Sequence, residues 1–431
     1  MKYNPIDPQL FVDNRKRLAG NLQSKSVAVL NANDIMPTSA DGTYPFVQTT
    51  DLFYLSGIDQ EETVLLLCPG AVEEKHREVL FIRETNEKTA VWEGEKYSKG
   101  QATEISGIQM VCWTSEFERV FRDLVFECEH IYLNSNEHLR ADVTVETRDA
   151  RFLKWCMDAY PLHDYDRLAP IMHDLRAVKS DVEIDLIRQA CGITEKAFRR
   201  LLGFVKPGVW EFEIEAEICH EFLKNRSNGP AYPSVVASGR NSCVLHYVKN
   251  DLQCRDGDIL LMDLGAEYAH YASDVTRTIP INGKFTNRQR DVYDAVLRIQ
   301  RAAIQMLKPG NTLEKYNEAV GNLVQDELIV LGLIDAKAVK KQPEDEPLYK
   351  KYFMHGTSHY LGLDVHDYGN KYRKFEPGMV FTCEPGIYIP EEAIGIRLEN
   401  DILITKNDPI DLTEDIPIEA NEIEALMSKG S

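Results

Sequence analysis

The chain opens on short apolar runs alternating with amphipathic segments. Val27–Leu30, Val64–Leu67 and Val79–Ile82 are β-rich, while Ser115–Phe126 spaces Phe117, Val120, Phe121 and Leu124 at helical intervals. This pattern predicts a small α/β domain. After a polar, proline-flanked stretch at 161–170, Ser180 precedes a strongly helical segment, Asp181–Leu202, with acidic residues in its first turn and Arg199 and Arg200 near its end. The boundary is expected near 170–178, dividing the chain into 1–174 and 175–431. Beyond it the pattern predicts helices at Glu211–Lys224, at about Thr286–Leu307 before Lys308-Pro309-Gly310, and at Leu313–Leu331. A charged loop, Lys340–Lys351, then leads into glycine-punctuated strands. The fold class is α/β (α+β), a small domain followed by a larger one.

Composition narrows the function classes. The 431 residues are 43% hydrophobic and 27% charged, an ordinary globular balance with ample length for two cores. A net charge of −20 opposes phosphate backbones and anionic lipid, so neither nucleic acid nor a membrane is an expected partner. The nine cysteines are scattered and form no Cys-x-x-Cys pair, which reads as reduced, mostly buried thiols. The polar first twenty residues lack the apolar core of a signal peptide, and the expected compartment is the cytoplasm.

Candidate chemistry collects in the second half. Asp258–Pro280 has two apolar arms around a polar centre, the pattern of a hairpin. If its centre lies at Tyr268-Ala269, Asp263 and Asp274 oppose each other with Cβ atoms ~5 Å apart. Two carboxylates so placed need a proton or cation between them, although two solvated turn aspartates give the same pattern. His355, His359 and His366 fall within twelve residues, and the intervening glycines favour a loop or twisted strand over a helix. Val380–Cys383 reads as a strand that Pro385-Gly386 ends at Glu384. In Ile394–Glu399 the apolar residues share one face and Arg397 and Glu399 share the other, an alternation that an exposed strand face would also give. Together Asp263, Asp274, His359, Glu384 and Glu399 form an oxygen-rich donor set suited to manganese, cobalt, iron or zinc. Four negative ligands balance two divalent ions, and such a pair generates a nucleophile from water at neutral pH.

These motifs, MDLGAEY, SDVTRT, HGTSHYLGLDVHD, EPGIY and GIRLEND, resemble those of the pita-bread metallopeptidases over residues 178 to the C-terminus. The resemblance implies a pita-bread catalytic domain holding two divalent ions, Mn²⁺ first and Co²⁺, Zn²⁺ or Fe²⁺ as alternatives. It makes Asp274 and Glu399 bridging ligands, with Asp263 on one ion and His359 and Glu384 on the other. LHY at 245–247 and His366 resemble the proline-specific branch, which implies substrate contacts for His246, His355 and His366, with Tyr388 and Arg373 also at the substrate. Glu384 is the expected proton shuttle, and Arg397 is expected to orient carboxylates.

The first domain is similar to the creatinase and aminopeptidase P type. Asp41-Gly-Thr-Tyr44-Pro45-Phe-Val47-Gln48 matches its loop, with Val47 where an arginine is common. That similarity implies a homodimer or homotetramer in which Asp41 and Trp92 reach a neighbouring active site. The expected activity is removal of an N-terminal residue from peptides with proline second. Prolidase, which cleaves Xaa-Pro dipeptides, shares the metal motifs and needs a cation such as Arg373 or Arg397 for the free carboxylate. A non-catalytic binding module on this fold would be expected to have lost ligands, and all five are present.

Overall fold

The computed structural model describes residues 2–343 and 345–429, so Met1, Glu344 (within the predicted charged loop), Gly430 and Ser431 lie outside the description. The chain divides into two compact units, with the division along the sequence between Leu175 and Arg176.

In the first unit the β-rich runs become β1 (Ser26–Asn31), β2 (Val64–Leu67) and β3 (Glu78–Ile82), joined by β4 (Met110–Trp113), β5 (His130–Leu133) and β6 (Asp164–Arg167). They build one mixed sheet in the order β4-β3-β2-β1-β5-β6. The centre of this sheet is buried on both faces, which is why β1 and β2 read as unbroken apolar runs. The predicted helix spans Phe117–Glu127 and buries Val120, Phe121, Leu124 and Val125 against the sheet. Its first residues, from Thr114, form a tighter 3₁₀ turn.

The second unit begins with the helix Asp181–Phe204. The Ser180 side chain accepts from the Glu183 N–H while the Glu183 carboxylate accepts from the Ser180 N–H, a reciprocal cap worth about 1 kcal/mol. Thr286 and Gln289 cap the helix Asn287–Ile304 in the same way. The helices Glu211–Lys224 and Leu313–Val330 also form. Among them lie β7 (Val235–Ser238), β8 (Ile259–Leu264), β9 (Glu267–Tyr268), β10 (Tyr271–Ala272), β11 (Val275–Pro280), β12 (Val380–Cys383), β13 (Gly386–Ile389), β14 (Ile394–Arg397), β15 (Asn400–Leu403) and β16 (Ile410–Asp411). They pair as β11-β8-β7, β12-β15-β16, β13-β14 and β10-β9.

The hairpin register differs from expectation. Asp263 pairs with Thr276, not Asp274, and Tyr268 pairs with Tyr271. The turn is centred one residue later, on Ala269 and His270, both left-handed with φ of 52° and 66°. The His270 N–H donates to Glu267 Oε1 at 2.6 Å and helps hold this turn. Moving the centre by one residue moves the register by two, so Asp263 and Asp274 keep the same face.

All nine cysteines are free, and all but Cys219 and Cys243 are buried. No described helix is long and apolar enough to cross a membrane.

Candidate metal centre

Each acidic side chain reaches the centre from a strand end. Asp263 is the fifth residue of β8, and Asp274 directly precedes β11. Gly265 allows the close approach at this point, because a Cβ there would meet the Ser273 carbonyl oxygen at 1.8 Å. Glu399 lies between β14 and β15, and its N–H donates to the Thr276 carbonyl at 3.1 Å. Thr276, the cross-strand partner of Asp263, donates its hydroxyl to Glu399 Oε2 at 2.6 Å. The histidine segment runs as a loop along β12: Thr382 N–H donates to His359 O at 3.0 Å and Glu384 N–H to Thr357 O at 2.8 Å.

One possible ligand atom each from Asp274, His359 and Glu399 lie within 4.8 Å of one another, and all three residues are buried. His359 Nε2 is 3.4 Å from Asp274 Oδ2 and 3.8 Å from Glu384 Oε1. His359 Nδ1 is 3.0 Å from the Tyr360 carbonyl. A carbonyl only accepts, so Nδ1 carries the proton and Nε2 turns a lone pair toward the carboxylates. Burial, together with Asp263 and Asp401, holds the Asp274 carboxyl well above its ordinary range. Burial likewise raises Glu399, with Asp274, Glu384 and Asp263 adding to the effect. Lone pairs and negative charges converging in a buried space call for a cation, and four carboxylates with one imidazole match a divalent, borderline-hard ion.

Three contributors have no signal in motif spacing. Tyr232 donates one hydroxyl proton toward two acceptors, Asp263 Oδ1 at 2.7 Å and Asp274 Oδ1 at 2.5 Å. Burial, then the charges of Asp263 and Asp274, keep its phenol protonated far above the ordinary range. Thr276 is the second. Asp401, fully buried, is the third: its Oδ2 accepts the Asp274 N–H at 3.0 Å, and burial pushes its carboxyl up to about 8.

Arg397 and Glu399 are both buried, so the alternation of 394–399 is no exposed strand face. Arg397 donates from Nη2 to Asp263 Oδ2 at 2.6 Å, from Nε to Thr276 Oγ1 at 2.9 Å and from Nη1 to the Tyr388 hydroxyl at 3.1 Å. It orients Asp263 directly and reaches Glu399 through Thr276. Tyr388, expected at the substrate, is instead fully buried, because both faces of β13 are covered. Its hydroxyl donates to His355 Nε2 at 2.8 Å. His355 Nδ1 donates to the Gly356 carbonyl at 2.7 Å and stands 3.7 Å from Glu384 Oε2. Burial, then the Arg397 charge, push the His355 imidazole down to about 4, so it is neutral at pH 7.

His366 packs its ring edge against His359 with centroids 4.5 Å apart. His246 is exposed on the loop after a 3₁₀ turn, Gly239–Cys243, and lies close enough to His355 to oppose its protonation. Arg373 pairs with Glu376 at 3.0 Å on the turn beyond His366. In the first unit, Asp41 is exposed in a tight turn closed by the Pro37–Thr43 bridge. Trp92, on the helix Glu87–Glu93, is 81% exposed.

This donor set and its surrounding strands define a class. The profile of Metallopeptidase family M24 matches residues 185–406, and the chain belongs to that family. The profile of the aminopeptidase P N-terminal domain matches residues 11–132. Over 436 residues the chain is 35% identical to Xaa-Pro aminopeptidase of Escherichia coli, covering 98% of both sequences. It is 31% identical to human Xaa-Pro aminopeptidase 3, covering 97% of this chain and 84% of the relative. Its fold is similar to that of the zinc-substituted Escherichia coli aminopeptidase P in complex with product, with a TM-score of 0.88, 34% identity and coverage of 99% and 100%. Aminopeptidase PepP of Pseudomonas aeruginosa gives a TM-score of 0.91 at 31% identity, with 99% of each chain covered.

Proposed function

We propose that this protein is an Xaa-Pro aminopeptidase, hydrolysing the bond between an N-terminal residue and a proline in second position. The observation that carries the reading is the convergence of Asp274, His359 and Glu399 in a buried space flanked by Asp263 and Glu384. Similarity to Xaa-Pro aminopeptidases along essentially the whole chain, first unit included, favours this over prolidase. So does the state of the two arginines, either of which could serve a prolidase as the cation for a dipeptide's carboxylate. Arg397 is buried on Asp263, and Arg373 is paired with Glu376.

Asp263, Asp274, His359, Glu384 and Glu399 would hold two divalent ions, which we take to be manganese. When bound, such ions polarise a carbonyl and acidify water. The remaining steps belong to the chain. An Xaa-Pro bond is a tertiary amide with no N–H and a fixed φ, so a groove that reads an extended backbone N–H rejects it. Water adds to the carbonyl carbon, the C–N bond breaks, and the proline nitrogen needs a proton to leave. Glu384, only partly buried, takes the proton from water and returns it to that nitrogen. Tyr388 and Gly356 hold the His355 ring beside Glu384, and Arg397 fixes Asp263. His246 and His366 contact the substrate. Exposed Asp41 and Trp92 suit contact with a neighbouring subunit in a dimer or tetramer, and the cytoplasm is the proposed compartment.

The test compares a proline-second pentapeptide with its alanine-second counterpart, both with manganese. Release of the first residue from the proline peptide alone is the expected result. Equal cleavage of both would overturn the proline specificity.

A further inference from the structure

We infer that Glu211 is a positioning residue for the substrate histidine His246, an inference that rests on the role given to His246 above. Glu211 opens the helix Glu211–Lys224 and is fully buried. Its carboxylate is the meeting point of a loop's two ends and its middle. Oε1 accepts the Ser238 N–H at 2.8 Å and the Ser238 hydroxyl at 2.6 Å, where β7 ends. Oε2 accepts the Tyr247 hydroxyl at 2.8 Å and the Leu252 N–H at 2.9 Å, where the loop returns. The Glu211 N–H completes the stitch by donating to the Leu252 carbonyl at 2.9 Å.

A second helix residue reinforces the return. Asn250 sits in the left-handed region at φ 48°, accepts the Val236 N–H at 3.0 Å, and donates to the Ser234 carbonyl at 2.9 Å and Glu215 Oε2 at 3.0 Å. Ser238, Tyr247, Asn250 and Leu252 are thus tied to one helix and to the segment of β7, while buried Ser242 accepts the Gly395 N–H of β14 at 2.8 Å. Val244, His246 and Val248 alternate along the loop and are exposed, as are Arg240, Lys249 and Leu252. Exposed His246 takes its place from the backbone beside it, and the neighbouring Tyr247 turns the opposite way to reach Glu211.

A charge this deeply buried is costly unless fully hydrogen-bonded, and two hydrogen bonds to each oxygen meet that cost. The arrangement therefore points to precise placement of the exposed imidazole, which lies close to His355.

The test is a double-mutant cycle on a proline-second peptide, reading KM, kcat and metal content. Tyr247→Phe removes one donor from Glu211 and is expected to raise KM about threefold to tenfold while kcat stays within about twofold. In a His246→Ala background the same change should leave KM where it is, because the group being positioned is gone. Metal content should match the parent throughout. Glu211→Gln should move KM in the same direction and further. An equal KM change with and without His246, or a loss of kcat at constant KM, overturns the role of Glu211. An unchanged KM in His246→Ala alone removes His246 from the substrate site and this inference with it.

Discussion

His359 Nε2 stands 3.4 Å from Asp274 Oδ2 with its lone pair facing the carboxyl group, because the Tyr360 carbonyl fixes the ring's proton on Nδ1. A divalent ion resolves this contact. Asp274→Ala should therefore lose metal and activity together, with turnover down by roughly 10³-fold or more, since a polarising cation contributes several kcal/mol to such a barrier. Plasma mass spectrometry of the purified variant beside a peptide assay checks both. Full metal content with normal turnover would remove Asp274 from the centre.

Arg397 acts one layer out. It holds Asp263 at 2.6 Å and Thr276 at 2.9 Å, and Thr276 in turn holds Glu399 at 2.6 Å. Arg397→Lys keeps a charge and loses the fork, so metal affinity or activity should fall about 10- to 100-fold. Isothermal titration with manganese and steady-state kinetics measure it.

Tyr232 shares one proton between Asp263 and Asp274. Without metal that hydroxyl still bonds both buried carboxyl groups, and Tyr232→Phe should destabilise the chelated protein by about 1–3 kcal/mol. Manganese should recover part of the loss, giving a larger rise in Tm on metal addition than in the parent. Equal Tm shifts for parent and variant would contradict this.

A pH response is expected in the first unit. Asp149 lies in the first turn of the helix Arg148–Ala159, where burial pushes its carboxyl up to about 6, the Asn31 hydrogen bond at 2.8 Å opposes the rise, and Asp51 adds to it. The folded chain holds this proton more tightly than the unfolded one. Its stabilisation is complete below about pH 4 and lost as pH rises through about 6, a difference on the order of 1–3 kcal/mol. Asp149→Asn should remove this component and stabilise the protein at pH 7–8. Chemical denaturation between pH 4 and 8 follows it.

Local features were readable because their causes are local. The strand Val380–Cys383, the cap at Ser180 and the helix start at about Thr286 come from residues within a few positions of one another. The acidic motifs stood out because charge at the end of an apolar strand is conspicuous. The register of β8 and β11 was not readable, since it depends on left-handed Ala269 and His270, residue types that give no warning of it. Tyr232 was hidden because it meets its carboxylates 31 and 42 positions away. The burial of Tyr388 is hidden for a related reason, since it comes from layers contributed elsewhere in the chain and not from the short run GIYI itself.

The most direct test of the central claim is mass spectrometry of the products formed when manganese-loaded protein meets Gly-Pro, Arg-Pro-Pro and a proline-second pentapeptide, with a chelated control. The account predicts loss of the first residue from Arg-Pro-Pro and from the pentapeptide, abolished by the chelator. Cleavage of Gly-Pro with both longer peptides intact would contradict it and make the protein a prolidase.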